Sequence, residues 1–582
     1  MDFSCFIREL FGSKVRKCYM HLESRKYPTV FLVAVFALHH FCHAEKAPYY
    51  SFVQESTSAP PVSFHDYIIV GGGTAGCPLA ATLSESANVL VLERGGSPYV
   101  NPSKTDEANL FPTLFDPSPN SYAQAFVSED GVYNHRARVL GGGSVINAGF
   151  YSHAETDFVK EAGLDEALVN DSYQWVEKEV VFEPPVLQWQ SAVRDGLLEA
   201  GVLPYNGFTY DHIYGTKIGA TIFDMDGHRH SAADLLEYAD PKKIKVYLHA
   251  KVPKIILTTE IGSRARAKGV IFEDALGVRH EAFLTEDSNI EIILAAGAIG
   301  SPQLLMLSGV GPAHHLKALG MKVLIDQPMV GQGMADNPLN GLYIPSPLPV
   351  ELSLASVVGI TRFGNYIEAI SGLNLAPSWI QWTSKISPTI LNQIESKTKI
   401  GSFLVNTRIK GGIIIDKVKG PISTGHLELR SKNPNDTPKV WFNYFQVPED
   451  LRKCVQGIQT ILKVVDSKAF SKFRYKTIST QDLLNLVAAL PLNLRPRHLN
   501  AAISLEQYCI DTVMTMWHYH GGCHVGKVVD QDYRVLGVDG LRVVDGSTFN
   551  FSPGTNPQST VMMLGRYMGV RIQQDRHSYK RK

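Results

Sequence analysis

The chain lacks a long hydrophobic run. Its N-terminal apolar stretch, Thr29 to Leu38, falls well short of the roughly 20 apolar residues that span a bilayer as a helix, which argues against a membrane anchor. It also lacks an excess of either charge, since Lys+Arg and Asp+Glu each total 56 and the formal net charge is zero. With no long basic run to track phosphates, a nucleic-acid partner is excluded and a small-molecule partner is expected. Cysteine is scarce, seven in 582 residues, and there is no internal repeat or low-complexity tract. What remains is a globular composition, 44% hydrophobic and 19% charged, long enough for a large core and more than one structural unit.

The first 44 residues differ from the rest. Basic Lys14, Arg16, Lys17, Arg25 and Lys26 precede the apolar run, and Cys42-His43-Ala44 follow it, the order of a secretory signal peptide starting at Met1 or Met20. Its removal takes Cys5, Cys18 and Cys42 and leaves Cys77, Cys454, Cys509 and Cys523, enough for one or two disulfides in an oxidising compartment. Sequons at Asn170, Asn435 and Asn550 suit a secreted glycoprotein, although proline follows the latter two.

Residues 45–64 read as a linker, Ser/Pro-rich from Ser56 to Ser63. The run Asp66 to Val70 then stops at Gly71, as a buried parallel strand does. A second run, Val89 to Leu92, ends in Glu93, and the Ala- and Leu-rich Ala75 to Ser86 between them completes a βαβ unit. Further strands are predicted at Lys245 to Leu248, Ile290 to Ala295 and Leu541 to Val544. This spacing predicts a discontinuous nucleotide domain (65–156, 225–315 and 506–573) with a substrate domain (157–224 and 316–505) inserted into it.

Gly71-Gly72-Gly73-Thr74-Ala75-Gly76 fits G-x-G-x-x-G at a strand-to-helix turn, where backbone N–H groups and the helix dipole hold a pyrophosphate. Glu93, 22 residues beyond Gly71 at the end of the next strand, is placed to accept hydrogen bonds from both ribose hydroxyls. Adenosine binding follows, but the motif does not separate FAD from NAD. No second G-x-G-x-x-G is present for a separate nicotinamide cofactor.

Two longer segments decide between them. Arg138 to Phe150, with Gly141-Gly142-Gly143-Ser144, resembles the first signature of the glucose-methanol-choline (GMC) oxidoreductase family, and Gly297 to Gly311 resembles its second. Trp517-His518-Tyr519-His520-Gly521-Gly522-Cys523 and Asp545-Gly546-Ser547-Thr548 resemble the plant branch that holds the HOTHEAD proteins and the almond-type hydroxynitrile lyases. The resemblance covers residues 65 to 573. It implies an α/β plus α+β protein, with a Rossmann-like FAD-binding domain and an inserted substrate domain built on an antiparallel sheet.

The resemblance also implies residue roles. Gly71, Gly73, Thr74, Ala75 and Gly76 would hold the FAD pyrophosphate, Glu93, Arg94 and Val252 the adenosine. Val139, Ser144, Asn147, Ala148, Gly149 and Phe150 would line the flavin and ribityl chain. Asp545 and Gly546 would sit by the phosphates, and Trp517, His518, Asn556, Pro557 and Gln558 would approach the isoalloxazine. Covalently flavinylated members carry His where this chain has Ile146, so noncovalent FAD is expected. The similar cysteine pair of the almond-type lyases implies a Cys454–Cys509 disulfide. No metal site is implied.

The family's base maps by this reading onto His520, whose imidazole can take a hydroxyl proton near neutral pH, with His518 structural or flavin-facing. The family's second catalytic position maps onto Asn556, which can hydrogen-bond but not titrate. Almond-type lyases carry His there, so Asn556 favours alcohol oxidation over cyanohydrin cleavage. The expected activity is oxidation of a hydroxyl-bearing carbon, with a long-chain ω-hydroxy fatty acid as leading substrate by resemblance. A hydroxynitrile lyase and a non-catalytic secreted flavoprotein are the alternatives.

Overall fold

Five apolar runs, each ending at a turn-forming or acidic residue, become strands of one parallel sheet: Tyr67–Val70, Val89–Leu92, Ile244–Leu248, Glu291–Leu294 and Leu541–Val543. The computed structural model describes residues 48–259, 264–286, 290–372, 411–554 and 556–580. The expected signal peptide with its three cysteines, and the part of the expected substrate domain over 373–410, lie outside the described residues.

Side chains of the parallel strands alternate between two cores. Ile68, Val70, Leu90 and Leu92 face one; Tyr67, Ile69, Val89 and Val91 face the other, against Leu79 and Leu83 of the helix Gly76–Ser84 and Leu564 of the helix Gln558–Lys580. Burial on both faces is why these strands read as unbroken apolar runs rather than alternating ones. Each fully buried Ile or Leu contributes about 1.5 to 3 kcal/mol relative to exposure.

Strand order runs Val53–Glu55, Ile244–Leu248, Val89–Leu92, Tyr67–Val70, Glu291–Leu294, Leu541–Val543. The edge strand corrects the expectation of a linker over 45–64. Val53–Glu55 pairs in parallel with Ile244–Leu248, and Val62–His65 pairs with Arg279–Leu284. Between those strands lie a 3-10 turn, Ser56–Ser58, and then Ala59 to Pro61, whose Ser/Pro content coloured the whole segment.

The second large sheet has seven strands in the order Met514–Thr515, Pro338–Pro345, Gly411–Val418, Asn365–Ser371, Val357–Ile360, Gly215–Ile218, Tyr205–Phe208. All its pairings are antiparallel except the last. Period-two alternation gives the sheet two roles. Ile367, Ala369 and Ile414 share a core with Trp189 and Leu197 of the helix Gln188–Glu199 and Ile458 and Ile461 of the helix Pro448–Asp466. Glu368, Ile370, Ile413 and Ile415 face a cavity.

Two elements cross the domain boundaries expected from sequence. Met514–Thr515, placed with the nucleotide domain, closes the edge of the substrate sheet. The helix Glu166–Val180, placed with the substrate domain, buries Val169 and Val176 in the core beneath the parallel sheet, and the Asp165 backbone N–H donates to Tyr567 Oη at 3.1 Å. Amphipathic spacing reveals that a helix buries one face, not which sheet receives it.

Cys454 and Cys509 form a disulfide that ties the helix Pro448–Asp466 to the helix Leu505–Thr512. Cys77 and Cys523 are free and buried. All three sequon asparagines, Asn170, Asn435 and Asn550, are exposed.

Candidate active site

Gly71 adopts φ +106°, and a Cβ there would lie 2.4 Å from Ala295 O; one at Gly76 would lie 2.0 Å from Gly71 O. Only glycine lets the strand Tyr67–Val70 turn directly into the helix Gly76–Ser84, leaving first-turn N–H groups open to an anion. Gly142, at φ +61°, packs the second glycine cluster on the first, its Cβ position 2.8 Å from Gly73 Cα.

Glu93 closes the adjacent strand. Its two oxygens accept from Gly72 N at 3.0 Å and Gly95 N at 2.7 Å, leaving further lone pairs for a ligand. Burial pushes its carboxyl pKa up, while those N–H groups and the Arg94 charge pull it back. Arg94 itself donates to Gln124 Oε1 and Ala137 O, both at 2.7 Å.

These elements border a cavity of about 500 Å³. Of the residues expected at a cofactor, Gly71, Gly73, Thr74, Ala75, Glu93, Arg94, Val139, Asn147 to Phe150, Val252, Trp517, His518, Asp545, Gly546 and Asn556 to Gln558 all line it. Gly76 and Ser144 stand behind the wall. Ser144 Oγ donates to Gly141 O at 2.7 Å and accepts from Ala232 N at 2.9 Å, bracing the second glycine cluster. Asp545 is held by Gly297 N at 2.9 Å, Ser301 Oγ at 2.5 Å and Ser547 N at 2.8 Å, which locks the helix Gly297–Leu307 onto the strand Leu541–Val543.

Sequence reasoning missed Arg229. Its guanidinium donates to Ser144 O and Asn147 Oδ1 at 2.9 Å and Asn147 O at 2.6 Å, while stacking 4.4 Å above the Phe223 ring. A lone arginine far along the chain carries no sign of this clasp.

The histidine pair of Trp517-His518-Tyr519-His520 is resolved by its neighbours. Asp336 is a buried hub that accepts from Thr515 Oγ1 and Tyr444 Oη at 2.6 Å and from the His518 backbone N–H at 2.8 Å. Burial raises its carboxyl pKa to about 6. Held there, and with Trp517 at φ +59°, the segment turns the His518 side chain onto the cavity wall. His520 instead pairs by its backbone with Ala335 and folds its ring back, Nδ1–H donating to His518 O at 3.0 Å. His520, the expected base, is not among the residues that line this cavity, whereas His518 is.

The His518 tautomer follows from hydrogen-bond bookkeeping. Asn337 spends its amide hydrogens on Val418 O at 2.8 Å and Gly420 O at 3.5 Å, so its Oδ1 is an acceptor. His518 Nδ1, 3.3 Å from that oxygen, therefore carries the proton, and Nε2 keeps its lone pair. Burial first, then the charges of Lys417 and His520, hold the His518 pKa well below its usual 6.5.

Asn556 lies on the loop that leads into the helix Gln558–Lys580. Gly554, at φ +90° over Glu155, shapes the loop, and Gln558 links it to the second glycine cluster through Asn147 Nδ2 at 2.8 Å and Phe150 O at 2.6 Å. The cavity wall across from the glycine turns is aliphatic, with Leu339, Ile370, Ile413, Ile415 and Met516. Tyr343 and Thr515 of the same sheet also line the cavity, Glu368 is its charged residue there, and neither Glu368 nor the neighbouring Lys417 was singled out from sequence.

Residues 65–339 and 421–565 match the two parts of the GMC oxidoreductase family. The chain belongs to this family. Protein HOTHEAD of Arabidopsis thaliana is 51% identical over 528 residues, covering 88% of this chain and 89% of that protein. An (R)-mandelonitrile lyase-like protein of the same plant is 46% identical, covering 90% and 92%, and the sinalpyl alcohol oxidase Nec3 of Nesocodon mauritianus is 44% identical, covering 91% and 92%. In fold, the chain superposes on a formate oxidase of Aspergillus oryzae with a TM-score of 0.71 at 18% identity, over 89% of this chain and 99% of that one.

As a GMC oxidoreductase it has the family's FAD-binding fold and acts on hydroxyl-bearing carbons. The residues fit the cofactor. The two glycine loops leave room for no Cβ where they meet, Glu93 lines the cavity at the end of its strand with lone pairs to spare, and Trp517 Nε1 is a buried donor without a protein partner on the cavity wall. Among the described residues no cluster of three or more His, Cys, Asp or Glu is placed to hold a metal, and no helix is long and apolar enough to cross a membrane.

One prediction follows from the Glu93 geometry. Glu93→Ala removes charge-assisted hydrogen bonds to a ligand, a loss of about 1 to 3 kcal/mol, and leaves two backbone N–H groups unmet. The purified variant is expected to show a reduced ratio of flavin to protein absorbance. Full flavin occupancy would remove Glu93 from adenosine binding.

Proposed function

We propose that this GMC oxidoreductase oxidises a primary or secondary alcohol on an aliphatic chain, with His518 rather than His520 as general base and Asn556 orienting the alcohol oxygen. The observation that carries this reading is one cavity wall presenting both a neutral imidazole with a free Nε2 and the Asn556 amide, beneath an aliphatic sheet face. FAD, when bound, supplies the acceptor for the carbinol hydride. His518 Nε2 takes the hydroxyl proton. Asn556 fixes the oxygen so that this proton points at the imidazole, a matter of orientation rather than titration. The aliphatic wall excludes water and receives the alkyl chain, which favours a long-chain ω-hydroxy fatty acid as substrate.

The pocket also supports noncovalent FAD, because the position that carries His in flavinylated relatives is Ile146, whose aliphatic side chain has no nucleophile. Acid precipitation is expected to leave the flavin in the supernatant; flavin retained in the protein pellet would overturn this. Secretion is supported by the signal-peptide pattern, the Cys454–Cys509 disulfide and the exposed sequons.

Anaerobic addition of 16-hydroxyhexadecanoic acid to the FAD-loaded protein tests the reaction, with bleaching of the flavin as the expected result. Cyanide release from mandelonitrile without bleaching by any alcohol would replace oxidation with lyase chemistry. No response to either would leave a binding protein.

A further inference from the structure

An asparagine amide has one acceptor oxygen and two donor hydrogens, and nothing in the side chain alone decides which end meets a substrate. Two buried charges bracket the Asn556 amide. Lys417 Nζ approaches Asn556 Oδ1 at 3.5 Å and sits 3.9 Å from the centre of the Tyr366 ring, and the residue is fully buried. Glu368, 1% exposed, lies on the neighbouring strand. Because Glu368 pairs with Ile415 and Tyr366 with Lys417, Glu368 and Lys417 are diagonal neighbours on the cavity face.

Burial raises the Glu368 carboxyl pKa, and the Lys417 charge and then the nearby Asn556 side chain pull it back. Glu368 Oε1 is buried without a hydrogen-bond partner, a carboxylate oxygen with acceptor capacity to spare beside Asn556. Two opposite charges buried as diagonal neighbours, outside ion-pair distance of each other, are a poor way to stabilise a sheet, since apolar residues of similar size do as well. Their place beside Asn556 calls for another role.

We propose that the Lys417–Glu368 pair is a positioning device for Asn556: the ammonium holds the amide oxygen, the carboxylate holds one N–H, and the second N–H is turned to the substrate oxygen. Asn556 then donates where His518 accepts. As the hydroxyl proton moves to His518 Nε2, the oxygen left behind gains negative charge, and a preset N–H stabilises it at the moment it forms. The opposite amide orientation would set oxygen against oxygen and give that charge nothing. The positioning role runs through Asn556, so the inference rests on the role proposed for Asn556 above; because the Lys417 charge also lowers the His518 pKa, the rates are compared at pH 8, where His518 is neutral with or without that charge.

A double-mutant cycle tests it. Glu368→Gln/Lys417→Met removes both charges together and leaves neither unpaired. In FAD-loaded protein, the rate of anaerobic flavin reduction at saturating 16-hydroxyhexadecanoic acid is measured for the wild type, Asn556→Ala, the pair variant and the combined variant, each per bound flavin. Asn556→Ala and the pair variant are each expected to slow reduction about 10-fold or more, and the combined variant to be no slower than Asn556→Ala. The dissociation constant of an unreactive tertiary alcohol, read from the shift of the flavin spectrum, should rise in the same non-additive pattern. If the pair variant does not accumulate, the near-isosteric Glu368→Gln takes its place in the cycle, with a severalfold slowing that vanishes in the Asn556→Ala background. Equal slowing by the pair variant with and without Asn556, or a pair variant at the wild-type rate, overturns the positioning role. Wild-type reduction by Asn556→Ala would instead remove Asn556 from the proposed mechanism.

Discussion

His518→Ala in FAD-loaded protein is expected to slow flavin reduction by about 10² to 10⁴-fold, the range for loss of a general base, while His520→Ala stays within severalfold of wild type. The contrast follows from placement: His518 lines the cavity with Nε2 unencumbered, and His520 has turned its ring onto the carbonyl of His518. A pH profile separates loss of a base from loss of shape. The active form of His518 is neutral, and burial together with the Lys417 charge depresses its pKa well below 6.5. Activity should therefore persist as pH falls past 6.5 and decline only through the depressed pKa. In His518→Ala that acidic limb should vanish along with the rate, whereas a merely misshapen site would be slow with the limb intact. A greater loss in His520→Ala than in His518→Ala would return the role to His520.

The two histidines show where reading the chain stops. Their spacing, with Trp before and Gly-Gly after, marks the segment as functional, yet the direction each ring takes depends on Asp336, Asn337 and Ala335, nearly two hundred residues away. No local pattern carries that information. The glycine turn and Glu93 were legible for the opposite reason. Strand, turn, helix and acid are consecutive, and the conformations demanded of Gly71 and Gly76 are backbone requirements that only one residue type meets.

Elements of the fold divide along the same line. The parallel strands were visible because burial on both faces leaves a continuous apolar run, but Val53–Glu55 has three residues and is mostly exposed, so its identity as a strand comes from Ile244–Leu248 alone. The Lys417–Glu368 pair left a trace in each strand, a carboxylate inside the apolar Asn365–Ser371 and an ammonium inside the apolar Gly411–Val418, where a solvent-facing position is the usual reading. The strand Asn365–Ser371 is buried on both sides, and the opposite charge nearest in the sheet register lies across a pairing that sequence does not reveal.

Removing the disulfide with Cys454→Ser/Cys509→Ser is expected to cost about 4 kcal/mol of stability, the loop-closure value for the separation of 55 residues between the cysteines. The consequence should reach the active site. Cys509 lies in the helix Leu505–Thr512, its carbonyl accepts from Asn340 Nδ2 at 3.0 Å, and Thr512 Oγ1 meets the same amide at 2.9 Å. Directly after this helix come the strand Met514–Thr515 and then Trp517 and His518, so the bond anchors the chain just before it delivers the proposed base to the cavity wall. Thermal or urea unfolding of the variant should show the lost stability, and flavin reduction should slow because His518 is held less rigidly, with its acidic limb retained because the imidazole is still present. Stability equal to that of the oxidised wild type would mean that the packing around Asn340 holds this segment without the bond.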